Sequence, residues 1–205
     1  MEAPDAHPTI QRDEPGAGDP TTDFEQLARD QLPRLYAIAR WLVGDDAEDA
    51  VQDCLTKAFE RFDQLDDPDA GPAWLARVLV NCCHDRGRRQ SRRPQEVDLD
   101  DIEEFSLYRK IALEDPFPYS DTLHLDFLGG FGVEDVREVL LMLPDLYRTP
   151  LVLVHMYGYP TKDVAAVLDV PLGTVLARLH RGRKLFERRM WDYAERTGLL
   201  EVERR

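Results

Sequence analysis

The sequence predicts an all-α protein made of two helical domains joined by an acidic linker. Three observations carry this reading. Apolar residues recur at helical spacing along most of the chain, and no stretch alternates as a half-buried strand would. Two segments poor in packing residues, one N-terminal and one central, divide the periodic stretches into two blocks. The second block holds a short helix, a tight turn and a longer basic helix, which is helix-turn-helix organisation.

Composition bounds the function. The chain has 205 residues, and 26 Lys+Arg against 40 Asp+Glu give a net charge of −14. As a bulk figure this argues against nucleic-acid binding, but the distribution reverses it. Residues 1–30 carry net −6 and residues 96–135 carry net −10, so the rest of the chain is close to neutral. Basic side chains gather in two places, Arg86 to Arg93 and Arg178 to Arg189. No apolar run approaches the roughly 20 residues that span a bilayer, so no membrane insertion is expected. The N-terminus lacks the basic and apolar regions of an export signal, and the expected location is cytoplasmic. Cys54, Cys82 and Cys83 make no disulfide framework and no Cys-x-x-Cys zinc spacing. No cofactor loop, metal spacing or nucleophile–base pair is visible. The reading is therefore a non-enzymatic protein with no catalytic residue, metal or cofactor.

Taken in order, residues 1–23 form an acidic tail with four prolines, expected to be disordered. The first domain spans 24–93. Within it, Asp45 to Phe62 places Val51, Leu55, Ala58 and Phe62 on one core-facing stripe. The acids Asp45, Asp46, Glu48 and Asp49 open that helix, where the macrodipole favours negative charge. Its outer face carries Asp49, Gln52, Asp53 and Glu60, and the residues alone also allow a plain solvated face. From Trp74 to Arg89, Leu75, Val78, Leu79 and Cys82 share an apolar side, while Arg77, Asn81, His84 and Arg88 line the opposite one. Every member of that row can donate a hydrogen bond; arginine suits phosphate or guanine and asparagine suits adenine. A nucleic-acid face and a solvated helix back both fit the row taken alone. Cys82 on the apolar side points to packing rather than redox chemistry, and Cys83-His84 is too short a cluster for a metal site.

Residues 94–132 are the acidic linker, with interleaved aromatics and a Gly-Gly-Phe-Gly end. The second domain spans 133–205. Val136–Leu143 and Tyr147–Tyr157 read as two helices parted by Pro144-Asp145. Thr161 is the expected N-cap of a short helix through Leu168, with Val164 and Leu168 inward. Asp169-Val170-Pro171 turns the chain into a helix from about Leu172 to beyond Met190. Val175, Leu179, Gly182, Phe186 and Met190 form its inner stripe, and Gly182 is expected to admit a neighbouring helix closely. The other side presents Thr174, Ala177, Arg178 and Arg181 as candidate readers of base edges, with Lys184 and Arg188 nearer phosphate.

Three stretches together resemble the extracytoplasmic-function (ECF) group of RNA polymerase sigma factors, a sigma-70 family. They are Asp46-Ala-Glu-Asp-Ala-Val-Gln-Asp53, Ala73-Trp-Leu-Ala-Arg-Val78 with Asn81, and Pro171-Leu-Gly-Thr-Val-Leu-Ala-Arg-Leu-His-Arg-Gly-Arg183. The resemblance covers about residues 24–93 and 133–195. It implies a sigma2-like helical bundle and a sigma4-like helix-turn-helix domain, and a chain that brings core polymerase to promoters. By the same resemblance, Asp49, Gln52 and Asp53 meet the polymerase β′ clamp helices. The Trp74–Arg89 helix and the loop before it take the minus-ten element, and the Thr174–Arg188 face reads the minus-thirty-five element. The acidic linker occupies a cleft built for RNA, and an anti-sigma factor is implied as a further partner. The residues around Leu143-Pro144 and Gly158-Tyr159-Pro160 are closest to the subgroup that answers thiol-oxidative stress. The chain departs from the pattern in the acidic loop 63–72, at Val80 where arginine is common, and at Ala177 where serine is common. The alternative function is a sigma mimic that sequesters an anti-sigma factor, but a mimic would not need two DNA-facing rows.

Overall fold

The computed structural model describes residues 20–65, 67–90 and 129–199, and among these it contains helices and turns but no strand. The expected tail and linker lie outside the described residues except at their ends. At one end, the first helix, α1 (Pro20–Val43), already begins at Pro20. With α2 (Ala47–Phe59) and α3 (Gly71–Gln90) it makes a three-helix unit. The second unit consists of α4 (Val133–Leu141), α5 (Asp145–Leu151), α6 (Thr161–Leu168) and α7 (Leu172–Thr197).

The stripe expected on α2 faces inward, with Val51 and Ala58 buried and Leu55 and Phe62 packed against the core. The helix is shorter than the sequence suggests. A 3₁₀ turn, Gly44–Asp46, precedes it, and Phe62 falls in a second 3₁₀ turn beyond its end. Phe62 still reaches the core, edge-on to Phe24 at 5.2 Å between ring centroids. Gly44 between α1 and α2 has φ +62°, a conformation that suits glycine.

In the second unit α4 starts at Val133, three residues earlier than its apolar periodicity alone suggests. The reason is a cap: the Gly132 amide donates to Asp135 Oδ2 at 2.7 Å, closing the first turn. After α5 the chain continues as a single π turn, Val152–Met156. It follows Pro150, which has no amide to donate to the helical ladder. Thr161 is not the N-cap of α6. Pro160 holds that position with ψ 140°, Thr161 is the first helical residue, and no side chain caps the helix. Proline fixes the extended entry geometry instead. Val164 is buried as expected, while Leu168 is only packed at the edge and Val167 takes the deeper place.

Asp169 terminates α6 in the left-handed conformation, φ 54° and ψ 48°, and the Val170 amide donates back to the Ala165 carbonyl at 3.1 Å. Aspartate is among the few non-glycine residues that tolerate this region. On α7 the inner stripe stands: Val175, Leu179, Gly182 and Met190 are buried and Phe186 packs beside them. A Cβ on Gly182 would lie 3.1 Å from Leu151 Cδ1 and 3.2 Å from Tyr147 Cβ, so the glycine lets α7 approach α5.

The two units share one continuous buried core, which runs from Phe24 to Tyr193. α1 packs on α4 and on the π turn, and α3 packs on α5 and α6.

Candidate nucleic-acid and partner interface

Helix α3 is positioned from both ends. Before it, the Asp67 carboxylate accepts from the Asp69 amide at 3.0 Å and shapes the turn Pro68–Ala70. At its start Gly71 is buried against Leu27, which stands 2.9 Å from where a Cβ would be. Leu75, Leu79 and Cys82 are buried, as their periodicity indicates, and Val78 is partly covered. Ala76, Val80 and Cys83 are buried as well. A stripe this wide arises because α3 is enclosed by α1 and α2 on one side and by α5 and α6 on the other. Val80 is therefore part of the core at 1% exposure.

The donor row does not stay on one surface. Arg77, Asn81 and Arg88 are exposed, whereas His84 is half-buried. Its Nε2 lies 2.9 Å from Oγ1 of Thr149, which is 1% exposed. Arg77 pairs with Asp169 at 3.4 Å, across to the turn between α6 and α7. Arg88 pairs with Asp85 one turn back, at 2.7 Å. Burial holds the His84 imidazole below its ordinary range; Asp145 opposes this, and Arg88, Arg148 and Arg178 reinforce it.

The helix-turn-helix presents Ala177 and Arg181 to solvent, while Thr174, Arg178, Lys184 and Arg188 are half-covered. The candidate readers leave out Leu176 and His180, and Arg183 is counted only in the basic cluster; all three are exposed on the same helix beside Ala177. Leu176 is 51% exposed. The signal was present in their i, i+4, i+7 spacing, but an apolar residue at the head of the row disguised it as packing.

On α2, Gln52 is exposed, and Asp49 and Asp53 are bridged by one arginine. Arg86 reaches Asp53 Oδ2 at 2.7 Å and Asp49 Oδ2 at 3.3 Å. Asp49 and Asp53 thus lie at a seam between α2 and α3, with their charge partly neutralised from within the chain, and Gln52 stands exposed on the same helix.

The surroundings of the cysteines disfavour thiolate chemistry. Burial pushes the thiols of Cys54 and Cys83 up to about 12, and that of Cys82 upward too. They are protonated at neutral pH, neither nucleophiles nor metal ligands in this state. No group of three or more His, Cys, Asp or Glu among the described residues is placed to hold a metal ion. Nor is any described helix long and apolar enough to cross a membrane.

Comparison with known proteins finds two sigma regions on the chain. Residues 27–93 match the family model of sigma-70 region 2, and residues 134–186 match that of sigma-70 region 4. The chain is 33% identical over 163 residues to the ECF RNA polymerase sigma factor SigE of Mycolicibacterium smegmatis. That match covers 78% of this chain and 59% of the relative's length. It is 32% identical over 163 residues to the ECF RNA polymerase sigma factor SigM of Mycobacterium tuberculosis, covering 78% of this chain and 73% of that one. Among solved structures, the sigma factor RpoE from Bartonella quintana, in complex with the anti-sigma factor NepR, superposes with a TM-score of 0.56 at 26% identity. That likeness covers 89% of this chain and 99% of RpoE. With both sigma regions in order on one all-helical chain, and a relative matched over most of its length, the protein belongs to the ECF sigma factors of the sigma-70 family.

Proposed function

We propose that this chain binds core RNA polymerase and directs promoter-specific transcription initiation, without catalysing a reaction of its own. The observation that carries the reading is the pairing of two basic helical faces on one chain. One is exposed through Arg77, Asn81 and Arg88 on α3, and the other through Ala177 and Arg181 on α7. In a helix-turn-helix the start of the second helix meets base edges in the major groove, which gives α7 the upstream element and α3 the minus-ten element. Asp49, Gln52 and Asp53 supply the contact with the β′ clamp helices of the polymerase. The domains divide at the acidic stretch 94–132, and the protein works in the cytoplasm.

The finer assignment is to the thiol-oxidative-stress subgroup, on the residues around Leu143-Pro144 and Gly158-Tyr159-Pro160. An anti-sigma partner follows from the RpoE–NepR likeness. Single-round run-off transcription with purified core polymerase is the deciding experiment. Initiation from a subset of genomic promoters is expected; binding to core without initiation at any promoter would leave only the sigma-mimic reading. A reporter for one recovered promoter, challenged with a thiol oxidant, checks the subgroup: no induction would remove it.

A further inference from the structure

The leading turn of α7 carries no hydrogen-bonding side chain among its exposed residues. Pro171 caps the helix and Leu172 begins it. Leu172 and Leu176 are 43% and 51% exposed, and Gly173 and Ala177 are exposed beside them. Thr174, the one hydroxyl in this stretch, is half-covered. The first exposed donors, His180 and Arg181, begin about 6 Å further along the helix axis than Leu176.

Folding does not need the two leucines where they stand. The inner stripe is filled without them, by Val175 at 0% and Leu179 at 6% exposure. Leu172 and Leu176 lie one turn apart (i, i+4) on another face of the helix. A single exposed leucine is ordinary. Two of them at the tip of a helix whose next exposed side chains are His180, Arg181 and Arg183 make an apolar patch with a basic rim. The rim suits a polyanion. What the patch meets there is set by the chemistry of the major groove, where thymine alone among the bases presents a methyl group.

We propose that Leu176, its surface extended by Leu172, is a specificity-determining residue that packs on a thymine 5-methyl group in the upstream promoter element. The inference rests on the reading of α7 as the helix that takes that element. The tip of α7 then selects by apolar contact, and reading by hydrogen bonds begins at Arg181. Leucine excludes as well as selects. Over a G·C pair it covers the guanine O6 and N7 acceptors and the cytosine N4 donor without answering them, and unanswered polar groups are costly to desolvate. The two contributions also differ in their response to salt. Phosphate contacts weaken steeply as salt rises, whereas the preference for thymine, being apolar, should hold. Burial of one methyl group is worth about fourfold in affinity.

Holoenzyme assembled from core polymerase and the full chain tests this by competition gel shift on the upstream element recovered by run-off transcription. Each thymidine of the element, on either strand, is replaced in turn by 2′-deoxyuridine, which removes the methyl and keeps the O4 acceptor and the pairing edge. Wild type is expected to lose about fourfold at one or two positions, and by the same factor at low and high salt. Leu176→Ala is expected to bind the thymine duplex more weakly than wild type and to lose nothing further at those positions. Its melting temperature should be unchanged, because the side chain is exposed. Loss of a methyl also weakens base stacking, so the difference between the two proteins is the deciding quantity. Indifference of wild type to uracil at every position, an element with no thymine, or equal sensitivity in Leu176→Ala would overturn the methyl contact and leave the reading of α7 intact. Unchanged wild-type affinity when the whole element is scrambled would overturn both.

Discussion

Glycines 182 and 173 sit on the same helix with opposite surroundings. A Cβ on Gly182 meets Leu151 Cδ1 at 3.1 Å and Tyr147 Cβ at 3.2 Å, while a Cβ on Gly173 meets nothing within 4 Å. Tyr147 Cβ is fixed to its own backbone and cannot swing away. Gly182→Val is therefore expected to destabilise the protein by about 1–3 kcal/mol through overpacking. Gly173→Ala should be neutral to stabilising by up to about 1 kcal/mol, from the helix propensity gained. Thermal melts of the two variants decide this, and equal effects would remove close packing as the reason for Gly182. Arg181, exposed on the same helix, is a proposed reader of the upstream element. Arg181→Ala should leave the melting temperature unchanged and weaken binding to a cognate upstream element by about 1–3 kcal/mol, the worth of a bidentate base contact. An equal loss on a scrambled element, measured by gel shift, would show that Arg181 contacts only phosphate.

The short helices α4 and α5 depend on one side chain that sequence patterning did not flag. Arg148 is 8% exposed; its Nη1 donates to the Leu141 carbonyl at 2.8 Å, and its Nη2 is paired with Asp145. It thus satisfies a carbonyl at the end of α4 and holds the acid that begins α5. Arg148→Met is expected to cost about 1–3 kcal/mol, since it leaves an acceptor and a carboxylate without their donor. Adding Asp145→Asn should recover part of that loss in denaturant titration, and strict additivity would show that the pair is not coupled. The contrast with α7 explains what the sequence made legible. A 26-residue amphipathic helix declares its inner face through repeated spacing, so Val175, Leu179, Gly182 and Met190 could be read directly. An arginine buried by docking of two units carries no periodic signal. His84 is the same case: its place in the row is set by α3, but its burial is set by α5, far away in sequence. The cap of α6 was misread for a related reason, since Thr161 has good capping chemistry but Pro160 already fixes the entry.

At the scale of the whole molecule, the charge of −14 is segregated rather than spread, and this bears on how DNA binding is controlled. Residues 1–19 carry five acids and one arginine, and residues 96–135 are the other acidic reservoir. Non-specific DNA affinity depends on how many phosphates the basic faces neutralise, and it falls steeply with salt. Acidic segments tethered to the same chain compete with phosphate for those faces, and their local concentration is fixed by the tether. Deleting residues 1–19 should therefore tighten binding of the free chain to random-sequence duplex by several-fold at about 50 mM salt. The difference should shrink above about 300 mM, where the Debye length is only about 6 Å. Core-polymerase affinity need not change, because the candidate contacts on α2 lie outside the deleted segment. A salt titration of the deleted and full-length chains checks this. If the gain from deletion persists undiminished at high salt, the tail acts by occluding the DNA face sterically and the electrostatic account fails.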